Sequence, residues 1–181
     1  MLSLTLAEGA ELRPLEPWQA AEFYAHVDEV RDSLRAYIPF AANLWDVDAA
    51  RAYLQDFADS QAADGPRLYG IWLDGVLSGG TLFRIFDTQR HVCELGVWLA
   101  PWARGRGLVT TACRAMIDWA VGERGMLRVE WGCEPSNEAS IAAAKRIGFS
   151  YDATIRQGFF FDGRQRDYQL WSILADDWRA R

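Results

Sequence analysis

The stretch Glu94-Leu95-Gly96-Val97-Trp98-Leu99-Ala100-Pro101-Trp102-Ala103-Arg104-Gly105-Arg106-Gly107-Leu108-Val109-Thr110 decides how the chain is read. An alternating β-branched and aromatic run stops at Pro101, passes through a short Arg/Gly loop, and enters a segment of helical period. That order brings free backbone N–H groups, two guanidinium groups and a helix N-terminus to one point, which suits a polyanion such as a pyrophosphate. Gly105 and Gly107 let the backbone approach a ligand closely, while Arg104 and Arg106 supply charge and a bidentate fork. The spacing alone leaves a second reading open, a tight turn with solvated arginines. Thr110 stands where a dinucleotide fingerprint has its third glycine, and there is no Gly-Lys-Ser/Thr ending of a P-loop.

Upstream of this stretch, residues 11–15 form a short extended segment. Pro17 then opens a helix with Ala20, Phe23, Val27 and Val30 on one face. A looser helical piece covers residues 33–37 and is stopped by Pro39. Asp46 caps a further helix bearing Ala50, Tyr53, Leu54 and Phe57, which Gly65-Pro66 ends. The period then changes to two: residues 68–73 and 76–83 flank the hairpin signal Asp74-Gly75, and residues 92–99 are the strand that feeds the loop. Downstream, Val109, Ala112, Cys113, Met116, Ala120 and Val121 share a helical face. Residues 127–133 are strand-like, Pro135-Ser136-Asn137 start a helix that Gly148 closes, and residues 154–161 and 168–174 flank a turn at Asp162-Gly163. This order predicts one mixed α/β domain over residues 1–181.

A chain of 181 residues, half of them apolar, can bury a large core without staples. The net charge of −6 argues against a nucleic-acid partner and is compatible with a cationic substrate such as an amine. Cys93, Cys113 and Cys133 are odd in number and lie in apolar periodic segments, so they read as buried free thiols. His26 and His91 are far apart, so no zinc-ligand spacing is visible and no metal is expected. With no cationic-then-apolar leader and no apolar run of membrane-spanning length, a cytoplasmic setting is expected and a membrane partner is not.

The succession of elements, with the Arg/Gly loop between the fourth strand and the next helix, resembles the GNAT (Gcn5-related) N-acetyltransferase superfamily, and its RimJ/RimL-like branch most closely. The family loop reads Gln/Arg-x-x-Gly-x-Gly/Ala. Arg104 and Gly107 match its first and fourth positions, and Val109 departs from the sixth. Asn137-Glu138-Ala139-Ser140 followed by Ile147-Gly148-Phe149 is similar to the branch's Asn-x-x-Ser and terminal Gly-Phe, and Glu94-Leu95-Gly96 fits its fourth strand. Arg156, Gly163, Asp167 and residues 170–178 resemble its last hairpin, and residues 34–40 its substrate-side helix and loop. The resemblance implies a single GNAT-like domain with a twisted, mostly antiparallel sheet of about six or seven strands, the fourth and fifth splayed, and flanking helices. It implies an N-acyltransferase that moves an acyl group from acetyl-CoA, or another acyl-CoA, directly to a primary amine. The acceptor would be a peptide N-terminus or the amine of an antibiotic or metabolite. A non-catalytic CoA-binding module is the competing reading, and homodimerisation is left open.

The resemblance also distributes roles. The backbone of Val97, Trp98 and Leu99 would hold the pantetheine arm. Arg104, Gly105, Arg106, Gly107, Leu108, Val109 and Thr110 would hold the pyrophosphate. Asn137 would hydrogen-bond the pantetheine, alongside the reading of an ordinary helix N-cap. Ser140 would protonate the departing sulfur, against the alternative of a first-turn serine tied to the cap. Glu94 is the candidate base, since its parity with Gly96 and Trp98 directs it toward the substrate cleft; the alternative is a cross-strand ion pair on a solvated face. Tyr151 competes with Ser140 as the acid, or is a sheet-edge aromatic. His91 has the opposite parity and reads as structural or solvated. Most aromatics of the first third read as core, with a few near residues 35–45 available to line an acceptor pocket beside Asp28, Glu29 and Asp32.

Overall fold

Alternation of apolar residues builds one sheet, and amphipathic helices cover both of its faces. The computed structural model describes residues 3–181. In chain order the elements are β1 (Leu4–Ala7), β2 (Ala10–Pro14), α1 (Ala20–Leu34), α2 (Pro39–Asn43), α3 (Val47–Ala62), β3 (Arg67–Leu73), β4 (Val76–Asp87) and β5 (Val92–Leu99). They continue as α4 (Leu108–Gly122), β6 (Arg128–Cys133), α5 (Glu138–Ile147), β7 (Ser150–Phe161), β8 (Arg164–Leu174) and α6 (Ala175–Arg179). The strands form an eight-stranded sheet in the order β1-β2-β3-β4-β5-β6-β8-β7. Among the described residues only the β5–β6 pair is parallel; every other neighbouring pair is antiparallel.

Two sequence expectations need correction. The sheet has eight strands, one more than the upper count expected, because β1 pairs with β2 around a turn where Gly9 has φ 69°. Four residues are too few for a period of two to declare itself. Pro39 does not stop a helix over residues 33–37: α1 runs on to Leu34, and Pro39 instead begins α2. Proline fits there because a first-turn residue donates no intrahelical bond.

Side-chain parity assigns the helices to faces. Trp98 on β5 reaches α1, where its indole N–H donates to His26 Nε2 at 3.2 Å and its ring meets Phe23 edge-on. Phe23 in turn stacks on Tyr53 of α3. Leu95 has the opposite parity and is registered with Phe83, whose ring lies against Trp119 of α4. Thus α1 and α3 cover one face and α4 the other. The aromatics Phe23, Phe40, Tyr53 and Phe57 form a continuous packed cluster, as expected of most of the N-terminal aromatics, whereas Trp18 and Trp45 are exposed. Cys93, Cys113 and Cys133 are buried free thiols. Among the described residues, no helix is long and apolar enough to cross a membrane.

Candidate active site

The β5–β6 ladder holds three registered pairs, Val92↔Arg128, Cys93↔Val129 and Glu94↔Glu130, and then stops. Both strands stay paired on their far sides, β5 with β4 as far as Leu99 and β6 with β8 as far as Cys133. The sheet therefore opens like a V beyond Glu94. The β6-facing edge of β5 at residues 97–99 carries no ladder bonds, which leaves backbone groups for an extended ligand; the Leu99 carbonyl accepts from Arg104 at 3.5 Å. The expected splay of the strand feeding the loop from the next one is this opening.

One wall of the V leads into the Arg/Gly loop. Gly105 has φ 80° and Gly107 φ 76°, in the left-handed region that favours glycine, and the space where a Cβ would stand is open at both. Gly107 is the N-cap of α4 and no side chain caps that helix, so its first N–H groups remain available to an anion. Arg104 and Arg106 are exposed beside them, and Thr110 and Leu108 lie in the first turn. Val109, the departure from the family pattern, is half-buried and packs against the hydrophobic core.

The other wall is the end of β6 and the start of α5. Asn137 caps α5, its side-chain oxygen accepting from the Ser140 N–H at 3.1 Å. Its amide hydrogens stay free for a ligand, so capping and binding are compatible. The Ser140 hydroxyl accepts from the Trp131 indole N–H at 3.0 Å, which leaves its own proton for donation, with the Cys133 thiol within its reach. Cys133 ends β6 beside Ser140, and burial pushes its thiol up. Trp131 and Cys133 are site residues that the sequence reading did not single out in these positions. The alternation of residues 127–133 was the available signal for Trp131, since its face is that of α5.

Glu94 stands at the apex, on the α1 face that parity assigned to it. It is 6 % exposed, and its Oε1 pairs with Arg84 and accepts from the Tyr168 hydroxyl at 2.7 Å. The ion pair foreseen as the alternative is present, but the carboxylate is buried and not on a solvated face. Arg84 is the extra residue of a β-bulge between Phe83 and Ile85, which turns its side chain toward Glu94. The neighbouring Glu130 is held by Arg128, which also pairs with Asp152. Burial and the adjacent Glu94 carboxylate hold the Tyr168 phenol well above the usual range.

The remaining residues fall elsewhere. Tyr151 is 50 % exposed near the start of β7, the edge strand, its ring edge-on to Trp171 and its hydroxyl 2.8 Å from Thr154 Oγ1. Asn137 and Ser140 thus stand at the start of α5, Glu94 stands in the last rung of the β5–β6 ladder, and Tyr151 lies two strands beyond β6. His91 contacts the Gly125 carbonyl at 3.1 Å, away from the V. The α1–α2 turn is joined to the β6–α5 loop and β8: Tyr37 donates to the Ser136 carbonyl at 3.4 Å, and Arg166 binds Glu134 at 2.6 Å and the Ala36 carbonyl at 3.4 Å.

Residues 10–150 match the acetyltransferase (GNAT) domain family. YdaF of Bacillus subtilis, which bears a ribosomal N-acetyltransferase name, is 28% identical over 99% of both chains. A RimL ribosomal L7/L12 α-N-protein acetyltransferase in complex with coenzyme A superposes with a TM-score of 0.90 at 17% identity, covering 97% of this chain and 99% of the other. The microcin C7 self-immunity acetyltransferase MccE, in complex with acetyl-CoA and AMP, does so with a TM-score of 0.87 at 19% identity, covering 93% and 94%. With its family match spanning the splayed strands, the glycine loop and α5, the chain belongs to the GNAT acetyltransferase family and is an N-acetyltransferase with ribosomal-protein acetyltransferases among its relatives.

Proposed function

We propose that acetyl-CoA is the donor, held with its pyrophosphate on Arg104–Thr110 and its pantetheine arm along Val97–Leu99 and Asn137, and that the acceptor is the α-amine of a peptide. The observation that carries this is the continuity of the V: an open glycine cradle at one end, a free strand edge in the middle, and Ser140 and Glu94 at the narrow end. The residues present fit the group, since the cradle has room where Cβ atoms would intrude and an uncapped helix end to meet charge. When bound, the thioester supplies the activated acyl carbon. Asn137 orients the arm, and the backbone edge of β5 fixes the reacting carbonyl. As the new C–N bond forms and the C–S bond breaks, Ser140 donates its proton from Oγ to the departing sulfur and regains one from the acylated nitrogen, which sheds its extra proton on becoming the amide. Glu94 accepts the proton of the incoming ammonium, so that the amine attacks as the neutral nucleophile. Tyr151 has no part in this reading, because its hydroxyl faces Thr154 at the sheet edge.

The peptide acceptor is supported by the ribosomal-protein relatives and by the acceptor-side wall, where Tyr37 and Arg166 join the α1–α2 turn to the β6–α5 loop. The test is thiol release from acetyl-CoA in the presence of serine- and alanine-initiated peptides, a polyamine and small aromatic amines. Release above hydrolysis with the peptides is the expected result. Turnover confined to the small amines would overturn the peptide assignment.

A further inference from the structure

The geometry points to Tyr168 as a positioning residue that pins one oxygen of Glu94 and presents the other to the acceptor amine. The inference rests on the reading of Glu94 as the proton acceptor. Arg84 and the Tyr168 hydroxyl both bind Oε1 of Glu94, and the phenol oxygen also accepts from Arg84 Nη2 at 3.0 Å. None of the hydrogen bonds among the described residues uses Oε2. Three strands, β4, β5 and β8, thus converge on a single oxygen atom and leave its twin uncommitted.

Tyr168 reaches Glu94 by lying across β6 at Gly132. A Cβ at Gly132 would stand 1.5 Å from the phenol oxygen, so only glycine allows the bridge to cross there. Glu94 is registered with Glu130 in the last rung before the strands part, which sets the bridge at the apex of the V. The charged groups on β6 next to the bridge pair among themselves and with β7. Arg128 holds Glu130 and Asp152, and His26 of α1 is kept neutral by burial while it accepts from Trp98. Burial and Glu94 together keep the phenol protonated, so Tyr168 remains a donor through the working pH range. The proton of the ammonium therefore passes from nitrogen to Oε2, and Tyr168 keeps its own. Pinning Oε1 limits the carboxylate to one orientation, which is the entropic part of catalysis by alignment.

The experiment compares Tyr168→Phe, Glu94→Gln and the double variant in the full chain, with acetyl-CoA and the most active amine of the acceptor panel. Tyr168→Phe should lower kcat/KM for the acceptor about tenfold, the loss of one hydrogen bond to a charged group. The acidic limb of its pH–rate profile should move to higher pH, because a carboxylate that loses a donor holds a proton more tightly. CoA affinity should not change, and the effect of Tyr168→Phe should vanish in the Glu94→Gln background. Gly132→Ala, which displaces the phenol sterically, should reproduce the shift. If Glu94→Gln moves the profile and Tyr168→Phe does not, the positioning role is overturned while the base reading stands. An equal loss from Tyr168→Phe in both backgrounds overturns it as well. A wild-type profile in Glu94→Gln overturns the base reading and this inference with it.

Discussion

On one side of the opening, the loop at residues 104–107 and the start of α4 present backbone: two glycines at positive φ, an uncapped helix end, and arginines that lie exposed around them. On the α1 side, Glu94 is buried and held by side chains from β4 and β8, and Trp98 is locked to His26 of α1. The first arrangement is local, made by consecutive residues. The second joins residues 10, 72 and 74 positions apart in the chain. Apart from its two glycines, a backbone cradle tolerates side-chain change except where charge is removed, whereas a buried network responds to single atoms and to pH.

The sharpest way to break this contrast is to strip the charge from the cradle. Arg104→Ala with Arg106→Ala should weaken CoA binding by about 3 kcal/mol or more by titration calorimetry, since each charge-assisted contact is worth about 1.5–3 kcal/mol. The melting temperature of the variant without CoA should hardly move. Unchanged CoA affinity would remove the donor assignment.

The α1 side should instead show its character in acid. Burial lowers His26 from 6.5 to about 4, so the folded state holds it neutral where the unfolded chain protonates it. That preference is fully present above pH 6.5 and is lost as the pH falls toward about 4, below which no further loss comes from this group. The integrated effect is about 3 kcal/mol. Urea unfolding between pH 7 and 4 should show this decline, and His26→Gln, which keeps an acceptor for Trp98, should flatten it. An unchanged slope in the variant would show that other groups carry the acid sensitivity.

Ser140→Ala tests whether the two sides are coupled only through chemistry. It should lower turnover about a hundredfold, or roughly 2.7 kcal/mol, and leave CoA affinity intact. A wild-type rate would remove Ser140 as the proton donor. The smallest effect belongs to Val109. Its side chain packs against the core and not into the cradle, so Val109→Ala should change CoA affinity by less than about 0.5 kcal/mol. A clear rise in affinity would mean that the valine crowds the phosphates after all.

The legible parts of the molecule are those whose causes are local. Asp74-Gly75 and Asp162-Gly163 turn the two hairpins with positive φ at both residues, as such dipeptides do. Asn137 caps α5, and the helix ends at Gly148 with φ 115°. The face of Glu94 followed from alternation with Trp98. By contrast, Arg84 was hidden because a bulge decides where it points, and Tyr168 because it acts over a strand that neighbours it only in space. Tyr151 follows the Gly148-Phe149 signal that motivated its choice, yet the strand order β6-β8-β7 carries it to the far edge.

The sequence by itself therefore determined the element order, the glycine loop, the cap at the start of α5, and the family resemblance. Each of these is written in residues a few positions apart, where backbone geometry and short-range hydrogen bonds act. Tertiary structure alone decided that the β5–β6 ladder parts after Glu94, that Arg84 and Tyr168 converge on one carboxylate oxygen, and that Trp131 rather than a backbone group fixes the serine hydroxyl. Those outcomes depend on sheet order and register, which are set by the packing of both faces at once and leave no periodic trace in the chain.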